Sequence, residues 1–164
     1  MRRLILMRHA KSDWHQGLED HERPLNKRGR ASCTALAAWL RETGLTPDAA
    51  LLSSSMRTVE TFGRLDLDCE VRTTRALYLA EPDEIVAELR EETAETVLLI
   101  GHNPGIGITA GDLVAEAPSH SRFADYPTGA TLVAEFDIDA WSELTLGTGR
   151  VVHFAIPREL PGME

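Results

Sequence analysis

The stretch LILMRHAKS, residues 4–12, opens with four apolar residues and then changes abruptly to a cation and an imidazole. An apolar run of this kind, ended by polar residues, predicts a buried strand that stops at Arg8 and His9. In open α/β sheets, ligand sites lie just beyond the carboxyl ends of the strands. Arg8 and His9 are therefore placed where a functional site is expected.

The same pattern occurs at two further places in the chain. Residues 97–101 are apolar or glycine and run directly into His102, and the apolar pair Leu51 and Leu52 is followed, after three serines and a methionine, by Arg57. Arginine suits phosphate because its planar guanidinium binds an oxyanion in bidentate fashion and keeps its charge. Two histidines and two arginines at strand ends therefore predict a phosphate-binding site.

The order of the predicted elements indicates an α/β fold. Helices are predicted from Asn26 to Gly44, over 56–65, from Pro82, and over 105–117, with further strands at 48–53, 70–72, 96–100, 130–136 and 151–156. Alternating strands and helices favour a three-layer α/β/α sandwich with a mostly parallel central sheet. An antiparallel edge is expected near the C-terminus.

Length and composition favour a small catalytic protein. A chain of 164 residues with 43% apolar content fits one domain with one core, which we expect to cover residues 1–164. No apolar stretch approaches the roughly 20 residues that span a bilayer, so a membrane partner is not expected. The two cysteines, Cys33 and Cys69, have no paired or metal-type spacing. These features predict a cytoplasmic protein with reduced thiols.

The charge distribution favours small anions over nucleic acids as ligands. The formal net charge of −9 argues against a nucleic-acid partner, which normally requires a basic face. Residues 1–30 nevertheless contain eight Lys and Arg against four Asp and Glu. A local positive potential can attract a phosphate group to the predicted site while the rest of the surface stays acidic.

These motifs resemble those of the histidine phosphatase superfamily, also called phosphoglycerate mutase-like, in which an Arg-His-Gly signature ends the first strand. The blocks that match, in the family's order, are 8–12, 23–29, 54–61, 101–104 and 126–130. They are most similar to the SixA-type phosphohistidine phosphatases. Ala10 stands where the signature has glycine, so the resemblance requires a backbone conformation at this position that accepts a Cβ.

The resemblance implies the phosphoglycerate mutase-like fold and a metal-independent phosphatase, without a cofactor, that acts through a phosphohistidine enzyme intermediate. His9 is the predicted nucleophile, because a neutral imidazole can attack phosphorus and divide one difficult displacement into two easier ones. Arg8, Arg57 and His102 are predicted to hold the phosphoryl group. For Arg57, the structural alternative is an ion pair with Glu60 one helical turn later.

The identity of the substrate depends on whether the site contains a general acid. Glu81 is the nearest candidate, although an acidic residue before Pro82 also fits a helix start. Imidazole leaves from phosphohistidine more readily than an alkoxide leaves from an ester, so a weak or absent acid favours phosphohistidine on a protein. A phosphomonoester of a small metabolite is the alternative. A non-catalytic phosphate-binding module is less favoured, because the predicted nucleophile and its phosphate-binding partners are all present. These four signature side chains are Arg8, His9, Arg57 and His102.

Several further residues are candidates for contact with phosphate or substrate. Lys11 and Ser12 follow the nucleophile closely, Arg23 belongs to the second matching block, and Asn103 follows His102. The helix that is expected to begin near Pro104 would add backbone N–H groups suited to an anion. The sequence leaves the physiological substrate and the oligomeric state open.

Overall fold

The computed structural model describes residues 1–163. The strands are β1 (Arg2–Arg8), β2 (Ala49–Ser53), β3 (Glu70–Thr74), β4 (Thr96–Gly101), β5 (Thr131–Phe136) and β6 (Arg150–Ala155), and the α-helices are α1 (Lys27–Glu42), α2 (Met56–Arg64), α3 (Pro82–Arg90) and α4 (Gly105–Leu113). All six strands form one sheet in the order β3-β2-β4-β1-β5-β6. The predicted α/β class is thereby confirmed.

Strand directions bring three strand ends to one edge of the sheet. Strands β3, β2, β4 and β1 pair in parallel, whereas β5 is antiparallel to both β1 and β6. The carboxyl ends of β1, β2 and β4 therefore meet at the same edge. The start of β5 lies there too, since Thr131 pairs with Met7 near the end of β1. The expected antiparallel edge near the C-terminus is β5 and β6.

Strand β1 is buried on both faces, which explains its continuous apolar sequence. Leu4 and Leu6 belong to the core cluster that includes residues of α3 and α4, and Ile5 and Met7 belong to the cluster that includes residues of α1. Alternate residues of a strand point to opposite faces, so one run of four supplies both cores. The result is the predicted three-layer α/β/α sandwich, which fixes the end of β1 firmly between its neighbours.

Helix α1 begins where the sequence predicts and packs directly on the loop after β1. The Asn26 side chain accepts a hydrogen bond from the backbone N–H of Gly29 at 2.8 Å, as expected for a helix N-cap. A Cβ at Gly29 would lie 2.1 Å from the carbonyl oxygen of Lys11. Glycine is therefore needed for this close approach, which holds the backbone two residues beyond His9.

Helix α4 is shorter than the predicted 105–117. It ends at Leu113, whose carbonyl oxygen accepts a hydrogen bond from the backbone N–H of Gly149 at 2.8 Å. Val114 is extended and forms an isolated parallel bridge to Gly149. The backbone groups of 113–115 that a longer helix would use are therefore bonded to Gly149, just before β6.

Two observations bear on the predictions from composition. Within residues 1–163, no helix combines the length and the apolar character needed to cross a membrane. Cys33 and Cys69 are both free thiols. Burial raises the pKa of the Cys33 thiol to about 12, so this cysteine is an unreactive packing residue.

Candidate active site

A cleft of about 570 Å³ opens at the edge of the sheet where β1, β2 and β4 end. It contains all four signature side chains and the four further sequence candidates, together with two carboxylates and several rim residues. The lining residues that concern the chemistry are Arg8, His9, Lys11, Ser12, Trp14, Asp20, Arg23, Arg57, Leu79, His102, Asn103, Arg122 and Asp125. Five cations against two carboxylates give the lining a net positive charge.

His9 is held at the end of β1 by both neighbouring segments. Its backbone N–H donates to the carbonyl oxygen of Gly101 at 3.1 Å, and its own carbonyl oxygen accepts from the N–H of Gly129 at 3.0 Å. Ala10 is fully buried and donates its N–H to Oγ1 of Thr61 at 3.1 Å. These bonds fix the backbone on each side of the imidazole.

Ala10 is accommodated without strain in the position where the signature has glycine. The non-glycine residues with positive φ within residues 1–163 are Asp66, Leu79 and Tyr126. Ala10 is not among them, so its backbone lies in a region that any L-residue can adopt. The site geometry therefore does not require glycine at position 10.

The hydrogen bonds of His9 define which of its ring nitrogens is nucleophilic. Nδ1 lies 2.7 Å from the carbonyl oxygen of Ala10. A carbonyl oxygen only accepts, so Nδ1 carries the proton in the neutral ring and Nε2 keeps its lone pair. Burial, reinforced by His102 and Arg57, holds the pKa of His9 well below its usual value. His9 is therefore neutral at pH 7, in the form that can attack phosphorus.

Arg57 is directed into the cleft by the start of α2 and by the loop after β1. Its Nη1 donates to the carbonyl oxygen of Asp20 at 2.7 Å, and its Nη2 donates to Oδ2 of Asp20 at 3.0 Å. The alternative partner, Glu60, instead pairs with Arg64 at 2.8 Å. The ion pair suggested by sequence spacing is thus absent, and Arg57 is left facing the imidazoles.

Arg57 lies between the two histidines of the site. Its Nε is 3.4 Å from Nε2 of His9, and its Nη2 is 3.3 Å from Nδ1 of His102. The two imidazole rings are separated by 5.2 Å between centroids. The guanidinium is therefore adjacent to the atom that would receive the phosphoryl group.

His102 is oriented by a hydroxyl at the end of β2. Its Nε2 lies 2.7 Å from Oγ of Ser53. Burial, with a smaller effect of the Arg57 charge, lowers the pKa of His102 to about 3. The ring is neutral in this state. A bound phosphoryl dianion would reverse part of that effect, because a nearby negative charge favours the protonated form.

Arg8 contributes a second guanidinium, which has an unused donor. Its Nη1 donates to the carbonyl oxygen of Tyr126 at 3.2 Å, whereas its Nε is buried and has no acceptor among the described residues. Burial and then the charge of Arg57 lower the pKa of Arg8. A phosphoryl oxygen would satisfy the unused donor and relieve the repulsion between the two guanidinium groups.

Asp20 connects several parts of the site and was not assigned a site role from the sequence. Besides Arg57, its carboxylate accepts hydrogen bonds from the Tyr78 hydroxyl and from Nε of Arg23, the latter at 3.1 Å. Partial burial raises its pKa, but these hydrogen bonds outweigh that effect and hold the pKa well below its ordinary value. Asp20 is thus an ionised positioning residue. It belongs to no motif block and lies in a polar loop without periodicity.

The remaining phosphate-binding candidates line the cleft, but three of them are engaged with protein groups. Arg23 donates from Nη1 to Oγ of Ser12 at 2.7 Å, and its guanidinium carbon lies 3.4 Å from the ring centroid of Trp14. The Asn103 amide donates to the carbonyl oxygen of Tyr126 at 3.0 Å. These residues shape the walls of the cleft. Lys11 is exposed at its rim.

The expected anion donors at the start of α4 are already occupied. The N–H of Ile106 donates to the carbonyl oxygen of His102 at 2.8 Å, and that of Gly107 donates to Oδ1 of Asn103 at 3.1 Å. The interpretation of these two groups as phosphate donors is therefore wrong. They hold His102 and Asn103 in place instead.

Glu81 lies outside the cleft lining. It is exposed at the N-cap of α3, where its backbone N–H donates to Oε1 of Glu84 at 2.9 Å, and its own side chain forms no capping hydrogen bond. The structure thus shows the helix-start arrangement that the sequence offered as the alternative. The carboxylates that do line the cleft, Asp20 and Asp125, both have lowered pKa values, through hydrogen bonds and ion pairs with arginine.

Comparisons with known proteins identify the family. The model of the histidine phosphatase superfamily, branch 1, matches residues 4–83. An uncharacterised protein of Mycobacterium tuberculosis is 30% identical over 159 residues, which cover 93% of this chain and all of that protein. A Nakamurella multipartitia structure described as a SixA phosphohistidine phosphatase is 30% identical with a TM-score of 0.85, and the match covers 95% of this chain and 96% of that one.

A second solved structure supports the same fold. The Agrobacterium tumefaciens protein described as a SixA phosphohistidine phosphatase has a TM-score of 0.78 at 24% identity, with 95% of this chain and 98% of that one covered. The branch 1 model spans the strand end that presents His9 and the helix that presents Arg57. With a neutral imidazole and two guanidinium groups meeting at that strand end, the chain belongs to the histidine phosphatase superfamily and is a phosphatase.

Proposed function

We propose that this phosphatase removes the phosphoryl group from phosphohistidine on a protein, without a metal ion, through a phosphohistidine intermediate on His9. The observation that carries the proposal is the state of the His9 ring. Its Nδ1 is bonded to the Ala10 carbonyl oxygen at 2.7 Å, and its Nε2 lies 3.4 Å from Nε of Arg57. The nucleophilic nitrogen is therefore unprotonated and next to a phosphate-binding group.

The reaction proceeds in two displacements at phosphorus. In the first, the lone pair of His9 Nε2 forms a bond to phosphorus while the bond from phosphorus to the substrate imidazole breaks, and the departing nitrogen takes a proton from solvent. In the second, water attacks, the bond to His9 breaks, and inorganic phosphate is released. Arg8 and Arg57 stabilise the charge on the equatorial oxygens in both steps.

The protonation states in the cleft support phosphohistidine as the substrate. Asp20 and Asp125 have lowered pKa values, so neither carboxylate donates a proton to a leaving group at neutral pH. An alkoxide leaving group needs such a proton much more than an imidazole does. A phosphoramidate bond therefore fits this site better than the ester of a small metabolite.

The rim of the cleft supports a macromolecular substrate. Trp14 is 72% exposed and Leu79 is 54% exposed, and both line the cleft. Exposed apolar and aromatic groups beside a charged site are typical of protein contact surfaces. A protein that carries phosphohistidine would cover them, whereas a small metabolite would leave them in water.

Metal independence and cellular context complete the proposal. Within residues 1–163, no group of three or more His, Cys, Asp or Glu side chains is placed to hold a metal ion. We further propose that the sheet and its helices act as one catalytic domain in the cytoplasm, which the two free thiols support. The net charge of −9 supports a partner other than nucleic acid.

The test compares phosphate release from a chemically phosphorylated histidine protein and from a panel of small phosphate esters, in buffer with chelator. We expect preference for the phosphohistidine protein and loss of turnover in His9→Ala. His153→Ala, on β6 and outside the cleft lining, is the matched control and should keep wild-type activity. Retained turnover in a folded His9→Ala variant would exclude the mechanism, and preference for one ester would favour a metabolic phosphatase.

A further inference from the structure

A second cavity, here called the basic pocket, opens beside the active-site cleft. Its volume is about 210 Å³, and Lys11, Arg122, Pro127 and Thr128 line both cavities. The basic pocket is lined by four cations, Lys11, Arg28, Arg122 and Arg158, and by no carboxylate of the described residues. The basic pocket therefore shares a wall with the active-site cleft and has a positively charged lining.

The cations of the basic pocket come from separate parts of the chain and are mostly unbalanced. Lys11 follows β1, Arg28 lies in the first turn of α1, and Arg158 lies in the 3-10 turn Pro157–Glu159. None of these three forms an ion pair with a described residue, whereas Arg122 pairs with Asp125 at 2.9 Å. Like charges gathered without a counter-charge produce a local potential that attracts an anion.

A hydroxyl group in the lining of the same pocket has no protein partner among the described residues. Ser32 on α1 is only 6% exposed, lines the basic pocket, and forms no hydrogen bond from its side chain to another described residue. The hydroxyl oxygen is open to the solvent in the pocket, since it is not among the fully buried unpartnered side-chain atoms of the described residues, Arg2 Nε and Arg8 Nε. A carboxylate oxygen in the pocket would accept a hydrogen bond from this hydroxyl, so Ser32 adds a neutral donor to the four cations.

We propose that the basic pocket binds an acidic side chain of the phosphoprotein substrate, close in space to the phosphorylated histidine. The inference rests on the proposed function and adds a recognition element to it. The volume suits a carboxylate side chain and is too small for a folded segment. Because the pocket shares its wall with the cleft, the acidic group and the phosphohistidine must belong to the same surface of the partner. The exposed Trp14 at the cleft rim favours that polypeptide over a small bisphosphate.

The experiment uses synthetic phosphohistidine peptides that are identical except for two flanking residues, which are Glu, Gln or Lys. Potassium phosphoramidate serves as the substrate without a flank. We expect wild-type kcat/KM to be about three- to tenfold higher for the Glu peptide than for the Gln peptide at low ionic strength, which is the range for two solvent-screened ion pairs. The preference should decrease with added salt, because screening shortens the range of the interaction.

The variants Arg28→Gln and Arg158→Gln should each reduce the Glu preference, and the double variant should abolish it. Both residues are exposed, so the substitutions leave the fold intact, which the urea midpoint verifies. Arg41→Gln removes an equal charge from an exposed position at the other end of α1 and should keep the preference. Turnover of phosphoramidate should be unchanged in all variants.

Three results would overturn the proposal. Equal wild-type rates on the three peptides, with phosphoramidate still hydrolysed, would exclude acidic recognition while leaving the proposed function in place. A sugar bisphosphate is assayed in parallel with the peptides. If Arg28→Gln and Arg158→Gln reduce kcat/KM for the bisphosphate but not for the peptides, the pocket takes the second phosphate of a metabolite. Absence of turnover of phosphoramidate and of every peptide by wild type would reject both the proposed function and this inference.

Discussion

Replacement of His102 by asparagine should remove a large part of the acid sensitivity of the fold. His102 is 2% exposed, and burial lowers its pKa to about 3. An unfolded chain restores the ordinary value of about 6.5. Below pH 6.5, His102 therefore binds a proton in the unfolded state but not in the folded state. The folded protein loses stability as pH falls from 6.5 towards 3.

The magnitude follows from this difference in proton binding. Well below pH 6.5, each pH unit costs about 1.4 kcal/mol per histidine. Because the unfolded histidine is already half protonated at pH 6.5, His102 alone should remove about 2.3 kcal/mol between pH 6.5 and pH 4.5. His9, whose pKa is also well below normal, acts in the same direction and remains in the variant. The His102→Asn protein should start from a lower stability, since it lacks the bond to Ser53, but should lose less on acidification.

Urea unfolding at pH 6.5, 5.5 and 4.5 measures the effect as the difference in slope between wild type and His102→Asn. Ser53→Ala is the matched control, because it deletes the hydroxyl at 2.7 Å from Nε2 but keeps the buried imidazole. It should be less stable at every pH and retain the wild-type slope. Parallel losses in wild type and His102→Asn would refute the view that His102 is neutral in the folded protein.

Three further outcomes are expected from other parts of the site. Asp20→Asn should lower kcat/KM for phosphoramidate by about tenfold to a hundredfold, because Arg57 loses its ionic partner. This is the range for a hydrogen bond to a charged group. An unchanged kcat/KM would show that Asp20 does not position the guanidinium. Glu81→Gln should leave kcat/KM within about twofold for phosphoramidate and for p-nitrophenyl phosphate, since that side chain lies outside the cleft lining. A large fall in kcat/KM for the ester alone would indicate that Glu81 is the general acid. Gly29→Ala should destabilise the protein by about 1–3 kcal/mol in urea unfolding and reduce activity. The reason is that the new Cβ would lie 2.1 Å from the carbonyl oxygen of Lys11. A variant with unchanged stability and activity would show that this contact does not hold the loop.

Much of the site could be predicted because its signals are local. An apolar run that stops at a polar residue marks a strand end, and parallel strands bring such ends to one edge, so Arg8, His9 and His102 were expected together. The capping asparagine before α1 is likewise a signal within a few residues. For these features, short-range chemistry and the pattern of burial determine the structure.

Other features depend on contacts that no short pattern encodes. Asp20 meets Arg57 across 37 residues and Tyr78 across 58 residues of sequence. Both lie in segments without periodicity, where the conformation is set by packing against the rest of the site. The length of α4 was predicted incorrectly for the same reason, since pairing of Val114 with Gly149 ends it early.

The contact between Asp20 and Arg57 has a consequence for how substrate preference can evolve in this enzyme. Asp20 lies in the loop that forms a wall of the cleft, and both its backbone and its side chain hold the guanidinium. A mutation in that loop changes which molecules enter and how well phosphorus is positioned at the same time. Substrate entry into the cleft and the positioning of phosphorus are therefore coupled through this loop. New specificities should therefore arise more readily from changes around Arg28 and Arg158, where the sequence can vary without disturbing the reaction centre.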